Sequence, residues 1–230
     1  MNSAAAPSPE LTRHLERAAE WRLMAQIFSY PDEGWAARME LLFECIGDAR
    51  VAPLGRAALR EAGPELWMRL FGPSGPVRVR AVAWEGGLQP GYLLAELAAY
   101  YEAFGYEPPA SGPPDQLAVL LDFAGWLELK LAYACVRGDS EAREVTARSL
   151  ETFLARFVAA VAWRVFRQME NEGPGFFAAT ARLAAERAGP EPERRGWKPD
   201  AWPDTALCDD GVCEGPAEIV DIRAHPAGES

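Results

Sequence analysis

YEPPASGPPDQLAVLLDFAGWLEL, residues 106–129, joins a proline-rich acidic loop to a strongly apolar segment, and its reading decides the fold class. The density of Pro and Gly forbids regular structure as far as Pro114. Beyond it Leu117, Leu120, Leu121, Ala124, Leu127 and Leu131 recur at three- and four-residue steps, the period of a helix with a buried face. Asp115 stands where an N-cap is expected. Its carboxylate would accept from the first free backbone N–H groups, while Pro113-Pro114 fixes the approach of the chain.

On either side the same period recurs. Pro9 opens a helix whose face is Leu11, Leu15, Ala18, Ala19, Leu23 and Ile27 with Phe28, and Pro31 ends it. A second helix is expected over about Asp32–Ile46, a short one near Leu54–Ala62, and another over Glu65–Phe71 after the Gly63-Pro64 break. Val77, Val79 and Ala81 alternate with Arg78 and Arg80, a strand-like pattern with no obvious partner, which predicts an extended loop. Helices resume over Pro90–Phe104 and Asp115–Arg137. The stripe Leu150, Phe153, Leu154, Phe157, Val158, Val161, Val165 and Met169 predicts a long one over Ser140–Glu170, and Phe176–Ala188 is the last. The expected architecture is an all-α, single-domain helical bundle over residues 9–188, preceded by a flexible N-terminus (1–8) and followed by a largely extended tail (189–230).

Charge narrows the function. The net charge of -11 opposes nucleic-acid binding, which needs clustered Lys and Arg. Residues 189–230 hold ten acids against four bases, so more than half of the excess lies in the tail. From Glu85 to Leu129 there is no Lys, Arg or His, but Glu85, Glu96, Glu102, Glu107, Asp115, Asp122 and Glu128 are all acidic. An apolar, loop-bearing and anionic segment suits a partner that is apolar and cationic. The opening MNSAAAPSPE has neither a basic n-region nor an apolar h-region, and no stretch is apolar for eighteen residues. A cytoplasmic protein without stable membrane insertion is expected, with its four cysteines reduced.

Arrangements for catalysis are thin. No phosphate-binding G-x-x-x-x-G-K-[ST], no G-x-G-x-x-G after a strand and no G-x-S-x-G elbow occurs. His14 and His225 have no partners at useful spacing and read as surface residues. An enzyme is not expected, and no cofactor is implied. Cys208-Asp209-Asp210-Gly211-Val212-Cys213 has a C-x4-C spacing within the range of a metal clip, but a closed Zn2+ site needs four ligands; free thiols, a metal or a local disulfide are the three readings there. A metal- or thiol-redox module built on Cys208 and Cys213 is accordingly a second functional class, and a structural subunit of a respiratory complex a third.

Trp67-Met68-Arg69-Leu70-Phe71-Gly72-Pro73, then Trp84-Glu85, Tyr106-Glu107-Pro108 and Pro114-Asp115-Gln116-Leu117-Ala118 before an apolar helix, together resemble the TorD/DmsD/NarJ family of molybdoenzyme maturation chaperones. The opening Trp21-Arg22-Leu23-Met24-Ala25-Gln26-Ile27-Phe28-Ser29-Tyr30-Pro31 resembles that family's first helix, so the similarity covers about residues 15–170. It implies a cytoplasmic chaperone, monomer or homodimer, that binds the immature catalytic subunit of a molybdopterin-containing oxidoreductase, or its twin-arginine signal peptide, until cofactor insertion is complete. Carried onto this chain, Trp67, Leu70 and Phe71 would supply apolar contact, Trp84 and Glu85 the partner pocket, and Glu107, Asp115 and Gln116 its rim; apart from the family motifs, Asp122 joins Glu107 and Asp115 as a carboxylate that an arginine pair could engage. The family usually has Asp-His where this chain has Asp115-Gln116, which removes an ionisable imidazole.

Overall fold

The computed structural model describes residues 7–84, 90–109 and 112–192, all within one compact unit, Met1–Glu193. The chain is all-α: α1 (Pro9–Phe28), α2 (Trp35–Phe43), α3 (Val51–Glu61), α4 (Pro64–Phe71), α5 (Pro90–Ala103), α6 (Leu117–Arg137), α7 (Ser140–Phe153), α8 (Ala159–Met169) and α9 (Gly175–Ala188). A π-helical turn, Leu154–Val158, joins α7 to α8, so the helix expected over 140–170 is one helical run with a π segment inside it. The tail with Trp197, Trp202, Cys208, Cys213 and His225 lies outside the described residues, as does Glu85.

α1 and α6 form the axis of the bundle. Ser8 caps α1, its Oγ accepting from Leu11 N–H at 3.2 Å, and Pro9 takes the first helical position, where a missing N–H costs nothing. α6 ends on Gly138 at φ 64°, the left-handed conformation glycine adopts without penalty. The two helices run antiparallel: His14 meets Glu128, and Arg22 meets Asp122. They approach closely at Gly125, where a Cβ would stand 2.8 Å from Arg22 Cγ and 3.0 Å from the Ala18 carbonyl oxygen. Around this axis the core is strongly aromatic. Phe28, Phe71 and Phe177 join α1, α4 and α9 with ring centroids 5.0–5.9 Å apart. Phe123, Phe153 and Phe157 join α6 to the α7 run at 4.7–5.1 Å. Such edge and tilted contacts contribute about 0.5–1.5 kcal/mol each beyond area burial.

Two local expectations were resolved by contacts distant in sequence. The alternation at 77–81 is genuine: Val77, Val79 and Ala81 are buried and Arg78 and Arg80 exposed. Its partner is the chain just before α6, through Ala81 N–H to the Asp115 carbonyl (2.9 Å) and Leu117 N–H to the Val79 carbonyl (2.8 Å). Arg80 and Gln116 make a single isolated bridge, and no strand occurs among the described residues. The N-cap expected at Asp115 is a correction. Gln116 occupies that position without a side-chain cap bond, because the Asp115 carboxylate is turned to Arg80 Nε and to the Val82 N–H, each at 3.0 Å.

Candidate functional site

A cavity of about 640 Å³ opens where the C-terminal end of α1 meets α2, α4 and the start of α6. The last carbonyls of α1 have no partner within the helix. Two indoles supply them: Trp35 Nε1 donates to the Gln26 carbonyl at 2.7 Å, and Trp67 Nε1 to the Phe28 carbonyl at 2.9 Å. These bonds pin α2 and α4 around the end of α1. They hold Trp67 edge-on to Tyr30, with centroids 5.4 Å apart, so that one indole serves both core and cavity wall. Leu41, 78% exposed, and Leu42 continue the apolar side; Gly112, Gln116, Ala118 and Val119 close the other.

The charges here are balanced. Asp32 pairs with Arg38 (Oδ1 to Nη2, 2.8 Å), and that hydrogen bond holds the Asp32 carboxyl below its ordinary range. Asp122 accepts from the Tyr106 hydroxyl at 2.9 Å, and burial, followed by the charge of Asp122, pushes that phenol far above its usual range, so it stays a donor. Arg22 Nε lies 3.3 Å from Asp122 Oδ1, an ion pair on the cavity wall.

Of the residues singled out from sequence, the fold brings Trp67, Gln116 and Asp122 to this one cavity. Glu107 is exposed, two residues before Pro109 of the lining. Leu70 and Phe71 sit in the core; Phe71, 8% exposed, packs on Phe28 and Phe177 and offers a partner almost no surface. Asp115 is 0% exposed. Trp84 stands elsewhere, its Nε1 donating to the Arg78 carbonyl at 3.1 Å and its ring facing the Arg164 guanidinium. Among the described residues the carboxylates of the acidic run do not form a single anionic hollow, because neighbouring elements answer four of them: Arg22 for Asp122, Arg80 for Asp115, Arg156 for Glu96 and His14 for Glu128. Tyr30, Leu41 and Leu42 were missed. Their signal was an apolar surplus beyond the faces needed for packing, visible only once the helix orientations are known.

His14 is a second correction. It is 6% exposed, with Nδ1 2.6 Å from Glu128 Oε2, so its partner comes from a helix 114 residues further on. A larger cavity, about 790 Å³, lies beside it and is lined by Arg13, Arg17, Trp21 and Arg187 with Glu20, Asp48 and Glu128. Arg187 bridges Glu20 (2.9 Å) and Asp48 (2.8 Å), and Arg50 also grips Asp48 (2.7 Å). These bonds tie α9 to the loop before α3, and they satisfy the charges they bury.

The hydrogen bond from Arg50, aided by Arg187, holds the Asp48 carboxyl far below the ordinary carboxylate range. The unfolded chain takes up that proton near pH 3.8, before the folded one does. The stabilisation is therefore complete above that pH and is lost progressively as pH falls below it. Asp48→Asn is expected to lower the thermal midpoint at neutral pH, with the difference from wild type shrinking below about pH 4. Calorimetry across an acid series measures it; a pH-independent difference would sink the assignment.

No protein-family profile matches the chain, and no curated protein is similar to it at a significant level. Among solved structures, one from Archaeoglobus fulgidus, described as a candidate redox enzyme maturation protein, is similar. It is 22% identical over 74% of this chain and 92% of its own, with a TM-score of 0.46. No described helix is long and apolar enough to cross a membrane.

Proposed function

We propose that this protein is a system-specific chaperone that binds the immature catalytic subunit of a molybdopterin-dependent oxidoreductase, by its twin-arginine signal peptide or an adjoining segment, before assembly. It acts by holding, with no bond made or broken. One observation carries the reading. Three stretches on which the family resemblance rests, 21–31, 67–73 and 114–118, are far apart in sequence and meet at the cavity edged by Tyr30, Leu41 and Trp67. An extended peptide suits it, its apolar side chains lying along Tyr30, Leu41, Leu42 and Trp67.

Because Asp32 and Asp122 already have arginine partners, a peptide arginine would exchange with Arg38 or Arg22 and gain little net charge energy. Affinity then falls mainly to the aromatic wall, with the exposed carboxylates, Glu107 among them, setting orientation and on-rate. Trp67→Ala is expected to weaken client binding by at least about 2 kcal/mol, roughly thirtyfold. Trp67 also packs in the fold, so Leu41→Ser is the companion variant; exposed as it is, it should leave the unfolding free energy within about 0.5 kcal/mol of wild type while reducing binding. The measurement is recovery, from the native cell extract, of an immature molybdopterin oxidoreductase subunit on immobilised wild type and on each variant. Failure to recover such a subunit on wild type, or recovery by Leu41→Ser and Trp67→Ala equal to that of wild type, counts against the proposal.

A further inference from the structure

At the opposite end of the α1–α6 pair from the candidate cavity, a carboxylate oxygen of Glu10, a ring nitrogen of His14 and the sulfur of Cys135 lie within 4.8 Å of one another. Glu10 and His14 are one helical turn apart on α1, and Cys135 stands two turns beyond Glu128 on α6. The Nδ1 of His14 is committed to Glu128, itself buried, at 2.6 Å. With Nδ1 turned to that carboxylate, Nε2 is the ring nitrogen left to meet a metal, the way a metal-binding imidazole is oriented from beyond its own ligand shell. A buried His–Glu pair alone would be ordinary core chemistry. It does not account for a thiol and a second carboxylate gathered at the same ring.

We propose that Glu10, His14 and Cys135 form a divalent transition-metal site suited to Zn2+, with Glu128 orienting His14 and a fourth position open to water or an outside donor. One thiolate, one imidazole and one carboxylate are the donors that Zn2+ accepts, and the two negative ligands neutralise the ion where it would be partly buried. Bonds of about 2.0–2.3 Å set the donors roughly 3.5 Å apart, so the shell must contract. Glu10 and Cys135 are only partly buried and have room to do so, with Glu10 exchanging its 3.2 Å contact with Arg143 for the metal. Arg17, 4.0 Å from Glu128, balances the orienting carboxylate. A cavity of about 460 Å³ reaching Glu10 and His14 gives access from solvent.

The tail thiols Cys208 and Cys213 are rival donors, so the test uses the full chain carrying Cys208→Ser and Cys213→Ser, kept reduced and titrated with Co2+ as the spectroscopic stand-in for Zn2+. The expected result is one Co2+ per chain with a thiolate-to-metal charge-transfer band in the near ultraviolet. Cys135→Ser should abolish the band. Glu10→Gln should weaken binding, and Glu128→Gln, which acts only through His14, should weaken it about 10–100-fold while keeping the band. Circular dichroism checks that each variant is folded, and Cys135 and Glu10 are exposed enough to be replaced without opening the core. A band that survives Cys135→Ser, a band found only when Cys208 and Cys213 are present, or no band at all overturns the site.

Discussion

Phe71→Ala is expected to lower the unfolding free energy by about 3–5 kcal/mol, the usual cost of emptying a phenylalanine site in a packed core. Its ring makes edge contacts to Phe28, Trp67 and Phe177 at centroid distances of 5.9, 5.8 and 5.0 Å, so one truncation loosens α1, α4 and α9 together. For a chain of this size that is roughly 6–20 °C in the thermal midpoint, read by calorimetry or urea denaturation. The family resemblance would make Phe71 a client contact, whereas the position of its ring makes it part of the floor beneath Trp67. The two roles separate experimentally. If Phe71→Ala abolishes client binding with its thermal midpoint unchanged, the ring must leave the core to meet the client. If binding and midpoint fall together, its effect on binding passes through the fold.

The class of fold was legible because it depends on local period: apolar residues at three- and four-residue steps, stopped by Pro31, Gly63-Pro64, Gly138 and Gly173-Pro174, mark helices whatever they pack against. α1 is bounded as its prolines imply. α2 ends at Phe43, short of Ile46, because Gly47 is near and little of that helix is buried. The site was legible only in part. Trp67, Gln116 and Asp122 line one cavity, but which acid answers which base depends on helix orientation. Counted along the chain, residues 85–129 look starved of positive charge; in space, Arg22, Arg80 and Arg156 supply it from other elements. His14 is the sharpest instance. Nothing within forty residues of it foretells Glu128 or Cys135, and only the antiparallel pairing of α1 with α6 brings them to one ring.

The two partners of the Arg80–Asp115 pair are expected to be unequally costly to remove. Asp115 is 0% exposed and cannot reach water, whereas the Arg80 side chain is 45% exposed and can. Arg80→Ala strands a buried carboxylate with only the Val82 N–H to answer it, and a buried ion left without its partner costs about 3–5 kcal/mol. Asp115→Ala frees the guanidinium into solvent and orphans one backbone N–H, at about 1–3 kcal/mol. The exposed partner is thus expected to be the more costly one to delete, the reverse of what burial alone suggests. Urea denaturation of both variants and of the double variant measures it; Arg80→Ala within 0.5 kcal/mol of wild type would remove the pair from any account of stability. A functional consequence follows from position. The pair clamps the Val79–Ala81 segment to the start of α6, and Gln116, next to Asp115, lines the candidate cavity. Arg80 does not line it, yet Arg80→Ala should weaken client binding by letting Gln116 and the rim beside it shift, while Trp67 stays anchored to the Phe28 carbonyl.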